Sequence, residues 1–264
     1  MSRLNSKNNT TLTNPLKSIL QKLLTYLLII SASIFLLWKK TNLPEKFHEW
    51  QYDLTHKQAI ITQSEKVKSI LNSFPTIPFS QLKKEYLSKT KYEEKKYKNL
   101  AKGSNLLIIK GKDVFKFIVG SFRIKDFLPK DDYYYENIDA LGEGKNVYWM
   151  VDEKLLLKLL ALQNVLFENG YNETGFTIVN GFRHPAYNEK VGGASLSRHL
   201  KGQALDLQIG DINNDGYANQ KDKTIVLDFL ENKIIKNEGG IGKYPGTMSV
   251  HFDVRGYRAR WDQQ

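Results

Sequence analysis

Sixteen consecutive residues, Leu23 to Trp38 (LLTYLLIISASIFLLW), carry no charge, and this run constrains the organisation of the whole 264-residue chain. As a helix rising about 1.5 Å per residue it spans about 24 Å, a little short of a hydrocarbon core of about 30 Å. Extending it back to Ile19 gives a sufficient length over 19–38. Lys22 can then snorkel to the interface, and Trp38, Lys39 and Lys40 suit an interfacial end. A cleaved signal peptide and a buried soluble helix are the competing readings. No small-x-small site follows the run, since Ser31-Ala32-Ser33 lies inside it. An uncleaved anchor therefore fits best. Arg3, Lys7, Lys17 and Lys22 outnumber the cations just after the run, which points the N-terminus to the cytoplasm.

The charge is uneven. Residues 1–105 hold 18 Lys/Arg against 7 Asp/Glu, whereas 106–264 hold 21 against 21. The net +11 thus belongs to the front of the chain, and nucleic acid is not an expected partner of the remainder. The absence of cysteine excludes disulfides, thiolate metal sites and a cysteine nucleophile. Four segments are expected: a polar tail over 1–18, the anchor over 19–38, a basic helical spacer over 39–105, and a compact domain over 106–264. In the spacer, the Lys- and Tyr-dense stretch Gln81–Lys102 reads as a solvated helix with Glu–Lys pairs or as a contact for an anionic surface. In the domain, Leu106–Ile109, Val114–Val119 and Phe176–Phe182 read as strands. Val151–Glu168 reads as a helix stopped at Asn169-Gly170.

Three of the five histidines, His184, His199 and His251, fall in the last 81 residues. Gly202 allows a turn after His199. Gln203–Ile209 then alternates as a strand that places Asp206 on the face opposite Leu205, Leu207 and Ile209. In SVHFDV, His251 and Asp253 share one face. A carboxylate on a core-like strand is costly unless paired or metal-bound. His199, Asp206 and His251 suit a zinc ion with an open fourth position. By spacing alone the pattern is weak: a loop histidine, a buried ion pair and a satisfied strand histidine would produce it too.

The run Ser197-Arg198-His199-Leu200-Lys201-Gly202-Gln203-Ala204-Leu205-Asp206 fits S-x-H-x-x-G-x-A-x-D. With His251-Phe252-Asp253 downstream and Gly181-Phe182-Arg183-His184-Pro185 followed by Tyr187-Asn188 upstream, it resembles the zinc D-Ala-D-Ala carboxypeptidase family, which is related to the Hedgehog fold. The ending GGIGKYP…VHFDVRGYRARW is nearer its murein endopeptidase branch. The resemblance implies an α+β fold, with a small antiparallel sheet flanked by helices. It implies zinc ligands at His199, Asp206 and His251, and a carbonyl- or carboxylate-binding guanidinium at Arg183. Ser197 becomes a substrate or supporting hydrogen-bonder, and His184 a neighbour of the site. Many members carry an acid three residues before the last ligand; here that residue is Met248. Asp253 is the substitute general base, or else it orients a ligand imidazole.

Between the ligands, Asp211 to Asp222 reads D, N, D, G, N, D at positions 1, 3, 5, 6, 9 and 12. This resembles an EF-hand or dockerin loop. Asp211, Asn213, Asp215, the Tyr217 carbonyl and Asp222 would then ligate calcium. A plain Asx-rich turn is the alternative.

The expectation is a single-pass protein of the bacterial cytoplasmic membrane with its domain on the periplasmic or extracytoplasmic side. There it would act as a zinc peptidase on peptidoglycan stem peptides or cross-links. The competing class is an impaired zinc-fold module that binds wall peptides or a protein partner.

Overall fold

The computed structural model describes residues 14–40, 43–139 and 142–262. Most of the expected polar tail (1–13, with Arg3 and Lys7) and the side chains of Trp38, Lys39 and Lys40 lie outside the described residues. Backbone packing divides the chain into two units, Met1–Ala59 and Ile60–Gln264.

The first unit is helical. In α1 (Asn14–Lys40), Lys17–Leu37 has a mean hydropathy of 1.9 with no side chain buried, long and apolar enough to cross a membrane. Three of its hydroxyls are satisfied within the helix. The hydroxyls of Thr25, Ser31 and Ser33 donate to the Gln21, Leu28 and Ile29 carbonyls at 2.8–2.9 Å, which lowers the cost of placing them in hydrocarbon. Helix α2 (Leu43–Asn72) follows.

The second unit starts well before the expected boundary at Leu106. It runs through β1 (Thr76–Pro78), α3 (Lys84–Lys89), α4 (Lys95–Ala101), β2 (Asn105–Ile109), β3 (Phe117–Val119), β4 (Phe122–Arg123), α5 (Ile124–Phe127), α6 (Asp132–Asn137) and β5 (Val147–Trp149). It continues with α7 (Glu153–Glu168), β6 (Phe176–Asn180), α8 (Pro185–Lys190), β7 (Ala204–Ile209), α9 (Gln220–Phe229), β8 (Gly240–Lys243), β9 (Ser249–Asp253) and β10 (Ala259–Asp262). Gln81–Lys102 is not one solvated helix. It breaks at Lys91, which takes φ +62°, and turns its tyrosines inward. Tyr86, Tyr92 and Tyr97 are all buried, with Phe74, Phe79 and Leu82 beside them. The lysines between them stay outside. The spacer's second half is therefore core of the domain, because aromatic burial outweighs what the lysine count suggests.

Helix α7 matches its expectation. Asp152 caps it by accepting from the Lys154 amide at 3.0 Å, and Leu155, Leu156, Leu159, Leu160, Leu162 and Leu166 form its buried stripe. The expected strand over Val114–Val119 is only half formed, since Gly111–Phe115 is a 3-10 turn and β3 begins at Phe117.

The site is carried by a five-stranded sheet of order β10-β8-β9-β7-β6. All of its pairs are antiparallel except the edge pair β10–β8, which is parallel. The register sets Asp206 opposite His251 and Ala204 opposite Asp253. A three-stranded sheet β1-β2-β5 and the β3–β4 pair complete the α+β fold.

Candidate metal centre

His199 sits on a 3-10 turn, Arg198–Lys201, between β6 and β7. The turn ends at Gly202, which takes φ +62°; a side chain there would meet the Met150 carbonyl oxygen at 2.0 Å. Glycine is thus required on both counts. The His199 Nδ1–H donates to the Gly181 carbonyl at 2.6 Å, which leaves the Nε2 lone pair pointing inward. That Nε2 lies 3.2 Å from Asp206 Oδ1 and 3.3 Å from His251 Nδ1. His251 Nδ1 is 2.8 Å from the same Asp206 oxygen, and its Nε2 faces Asp253 Oδ2 at 3.3 Å.

With the outer nitrogens committed to Gly181 and Asp253, neutral imidazoles turn their remaining lone pairs towards the Asp206 carboxylate. That arrangement is repulsive unless a cation sits at its centre. Ligands held about 2.0–2.1 Å from a tetrahedral zinc stand roughly 3.3 Å apart; the two separations at His199 match this, and the His251–Asp206 separation of 2.8 Å is shorter. Among the described residues, His199, Asp206 and His251 are the group of three with ligand atoms mutually within 4.8 Å, and all three are buried. The residues therefore fit the metal that the sequence implies.

Burial holds the His199 imidazole below its usual range. Burial also pulls His251 down, but its hydrogen bonds to Asp206 and Asp253 outweigh this and raise it. The Asp206 carboxyl lies well below the usual carboxylate range: burial opposes this, and His199 and His251 overcome it. Asp206 Oδ2 is also held by the Arg183 guanidinium, and by Asn180 Nδ2 at 3.2 Å. Tyr244 donates its hydroxyl to Oδ1 at 3.4 Å.

The centre forms part of the wall of a cavity of about 730 Å³, with Arg183, Ser197, Arg198, Tyr244, Ser249 and Trp261 also lining it. That volume suits a small peptide. Trp261, from β10, sets its ring 5.1 Å from the His251 ring.

Two expected site residues stand elsewhere. His184 is buried away from the cavity. Its Nδ1 is 2.6 Å from Asp131 Oδ2, and the rings of Tyr86, Tyr133 and Phe182 surround it. Asp253 is fully buried behind His251 and does not line the cavity. Its oxygens accept from the Gly240 amide at 3.0 Å and from the Arg255 Nε at 2.8 and 3.0 Å. A side chain at residue 240 would meet its carboxylate at 2.3 Å. Although burial opposes it, His251 and Arg255 hold the Asp253 carboxyl far below the usual range. A carboxylate so engaged is a poor proton acceptor, which corrects the general-base expectation and leaves the orienting one. Met248 packs against the core, 3.7 Å from Gln220 Nε2, and is not a cavity residue.

The loop Asp211–Asp222 uses its carboxylates on its own backbone. Asp211 accepts from the Asp215 and Gly216 amides at 3.2 and 2.9 Å. Asp222 accepts from Ile212, Asn213 and Asn219 and caps α9.

Sequence reading did not assign Tyr244, Trp261, Arg255 or Asn180. The first three lie in the terminal run GIGKYP…VHFDVRGYRARW, and strand pairing brings them to the ligands. No curated protein matches the chain. Residues 148–253 match the Peptidase M15 family model, a span that holds Arg183, Ser197, the three convergent side chains and Asp253.

Proposed function

We propose that the chain is a membrane-anchored zinc peptidase that hydrolyses peptide bonds in peptidoglycan stem peptides or cross-links, outside the cytoplasmic membrane. The observation that carries this reading is the convergence of three buried metal-ligand side chains, His199, Asp206 and His251, on the wall of a peptide-sized cavity. His199 Nε2, Asp206 Oδ1 and His251 Nδ1 would hold the zinc. When bound, the ion supplies Lewis acidity and brings a water towards a pKa of about 7. Arg183 fixes Asp206 from behind and turns its remaining N–H groups to a substrate carbonyl or carboxylate. Tyr244 holds Asp206 through its hydroxyl, whose oxygen still accepts from substrate. Ser197 stands on the same wall as a substrate hydrogen-bonder. Helix α1 supports the anchor by length and apolarity.

The second reading, a wall-binding module with impaired catalysis, draws on one feature. Asp206 is the only carboxylate lining the cavity among the described residues. Incubation with purified peptidoglycan separates the two readings: the enzyme releases peptides and a chelator stops it, whereas the module binds without release.

Asp253 acts here as a positioning residue. Asp253→Asn should weaken zinc binding by about 10–100-fold, and activity should recover as zinc is raised. Loss of turnover with zinc still bound would instead restore the general-base role.

We assign calcium to the loop as part of this proposal, with Asp211, Asn213, Asp215, the Tyr217 carbonyl and Asp222 as ligands. Calcium at about a hundred times its dissociation constant would then stabilise the chain by about 2.7 kcal/mol, read as a rise in Tm. A Tm indifferent to calcium would leave the loop as an Asx-rich turn.

A further inference from the structure

The three arginines lining the cavity are not equivalent. Arg183 is paired with Asp206 and Arg255 with Asp253. Arg198 has neutral partners: its Nη1 donates to Gln203 Oε1 and its Nη2 to the Tyr257 hydroxyl, both at 3.3 Å. Gln203 is itself fixed, because its Nε2 donates to Asp152 Oδ2 at 3.1 Å, which turns its oxygen towards Arg198. The Tyr257 ring backs the guanidinium at 5.9 Å. Arg198 is therefore a half-buried cation, pre-set by an amide and an aromatic ring, with N–H groups left over and no carboxylate within ion-pair distance among the described residues.

The cavity as a whole is carboxylate-poor. Of the three guanidiniums lining it, Arg183 and Arg255 are balanced by Asp206 and Asp253, which leaves the charge of Arg198 in excess. A concave site with this imbalance concentrates anions. The Tyr257 hydroxyl, which accepts from Arg198, keeps its own proton to donate. A planar guanidinium edge with a phenol beside it matches a carboxylate, which accepts from both.

We infer that Arg198 and Tyr257 form a substrate-anchoring subsite for a carboxylate of the bound peptide, distinct from the metal ligands and from Arg183. This rests on the peptidase reading for the identity of the ligand as a wall peptide. It gives the cleft a specificity element: wall peptides with free carboxylates are held, and amidated ones are not.

The test is equilibrium binding to the full zinc-loaded chain in the cold. The probes are the peptide L-Ala-γ-D-Glu-L-Lys-D-Ala-D-Ala and its two forms amidated at one or the other carboxyl group. Amidation at one position should weaken binding to the wild-type chain by about 10–100-fold, the worth of a charged hydrogen-bonded pair. In Arg198→Gln that difference should shrink to within about threefold, with zinc content unchanged, which shows that the adjoining His199 is still in place. Arg198→Lys, which keeps the charge but not the planar edge, should fall between. Tyr257→Phe should lose part of the preference. An amidation penalty that survives Arg198→Gln, or no binding of any of the three peptides, overturns the subsite. If the wild-type chain prefers the free acid through Arg198 yet releases nothing from peptidoglycan, the subsite stands and the peptidase reading falls. If it degrades peptidoglycan without regard to amidation, the reverse holds.

Discussion

Replacing His199 by alanine is expected to strip the chain of zinc and of peptidase activity while leaving the fold intact. Two contacts are lost, the donation to Gly181 and the inward Nε2. The first is one backbone acceptor on a turn. The second is a third of the metal's protein ligands. A site left with Asp206 and His251 is below the three ligands that a catalytic zinc centre keeps. Lewis-acid stabilisation of the transition state is worth several kcal/mol, so its loss should lower peptide release by roughly three powers of ten or more. Asp206 in the variant still has Arg183, Asn180 and His251 as partners, so no uncompensated buried charge is created and cooperative unfolding should persist. Elemental analysis should find zinc in the wild-type chain and not in the variant. Stoichiometric zinc and undiminished wall degradation in His199→Ala would overturn the ligand assignment.

The second large effect lies far from the metal in sequence. Tyr92→Ala should destabilise the second unit by about 3–5 kcal/mol, as expected for emptying a fully buried aromatic site. Tyr92 is 0% exposed, packs against Phe79 at 5.3 Å, and donates its hydroxyl to the Leu200 carbonyl at 3.1 Å. Leu200 follows His199, so the tyrosine braces the turn that presents His199 to Asp206 and His251. Nearby, the Ala186 amide donates to the Thr90 carbonyl at 3.1 Å, and Glu189 of α8 is held by Lys91 at 2.7 Å and by the Tyr97 hydroxyl at 2.7 Å. Residues 86–97 thereby grip both sides of the motif, from Arg183 to His199. Urea unfolding followed by circular dichroism measures the effect. A solvated spacer predicts a change within about 0.5 kcal/mol, and that result would remove these residues from the domain.

The convergence of His199, Asp206 and His251 was readable in the sequence because each part has a local cause. Gly202 permits the turn, strand period two aligns Asp206 and His251, and the S-x-H-x-x-G-x-A-x-D run adds the family resemblance. The long helix over 153–168 and the apolar run at 19–38 were readable for the same reason: periodicity and composition are local properties. What sequence did not reveal depends on pairing between distant segments. Asp253 shares the face of His251, so alternation offered it as a base. The neighbouring strand β8 brings the Gly240 amide to its oxygens, and Arg255, two residues on, folds back onto them. Tyr86, Tyr92 and Tyr97 sit among lysines, and their burial follows from partners such as His184 and Leu200, roughly a hundred residues away. Trp261 reaches His251 through the parallel pair β10–β8, a contact that no spacing rule anticipates.

X-ray absorption at the zinc edge of the full-length chain tests the central claim most directly. The account predicts a four-coordinate shell of nitrogen and oxygen atoms at about 2.0–2.1 Å with the scattering signature of two imidazoles. An all-oxygen shell, a single imidazole, or protein that takes up no zinc would contradict it.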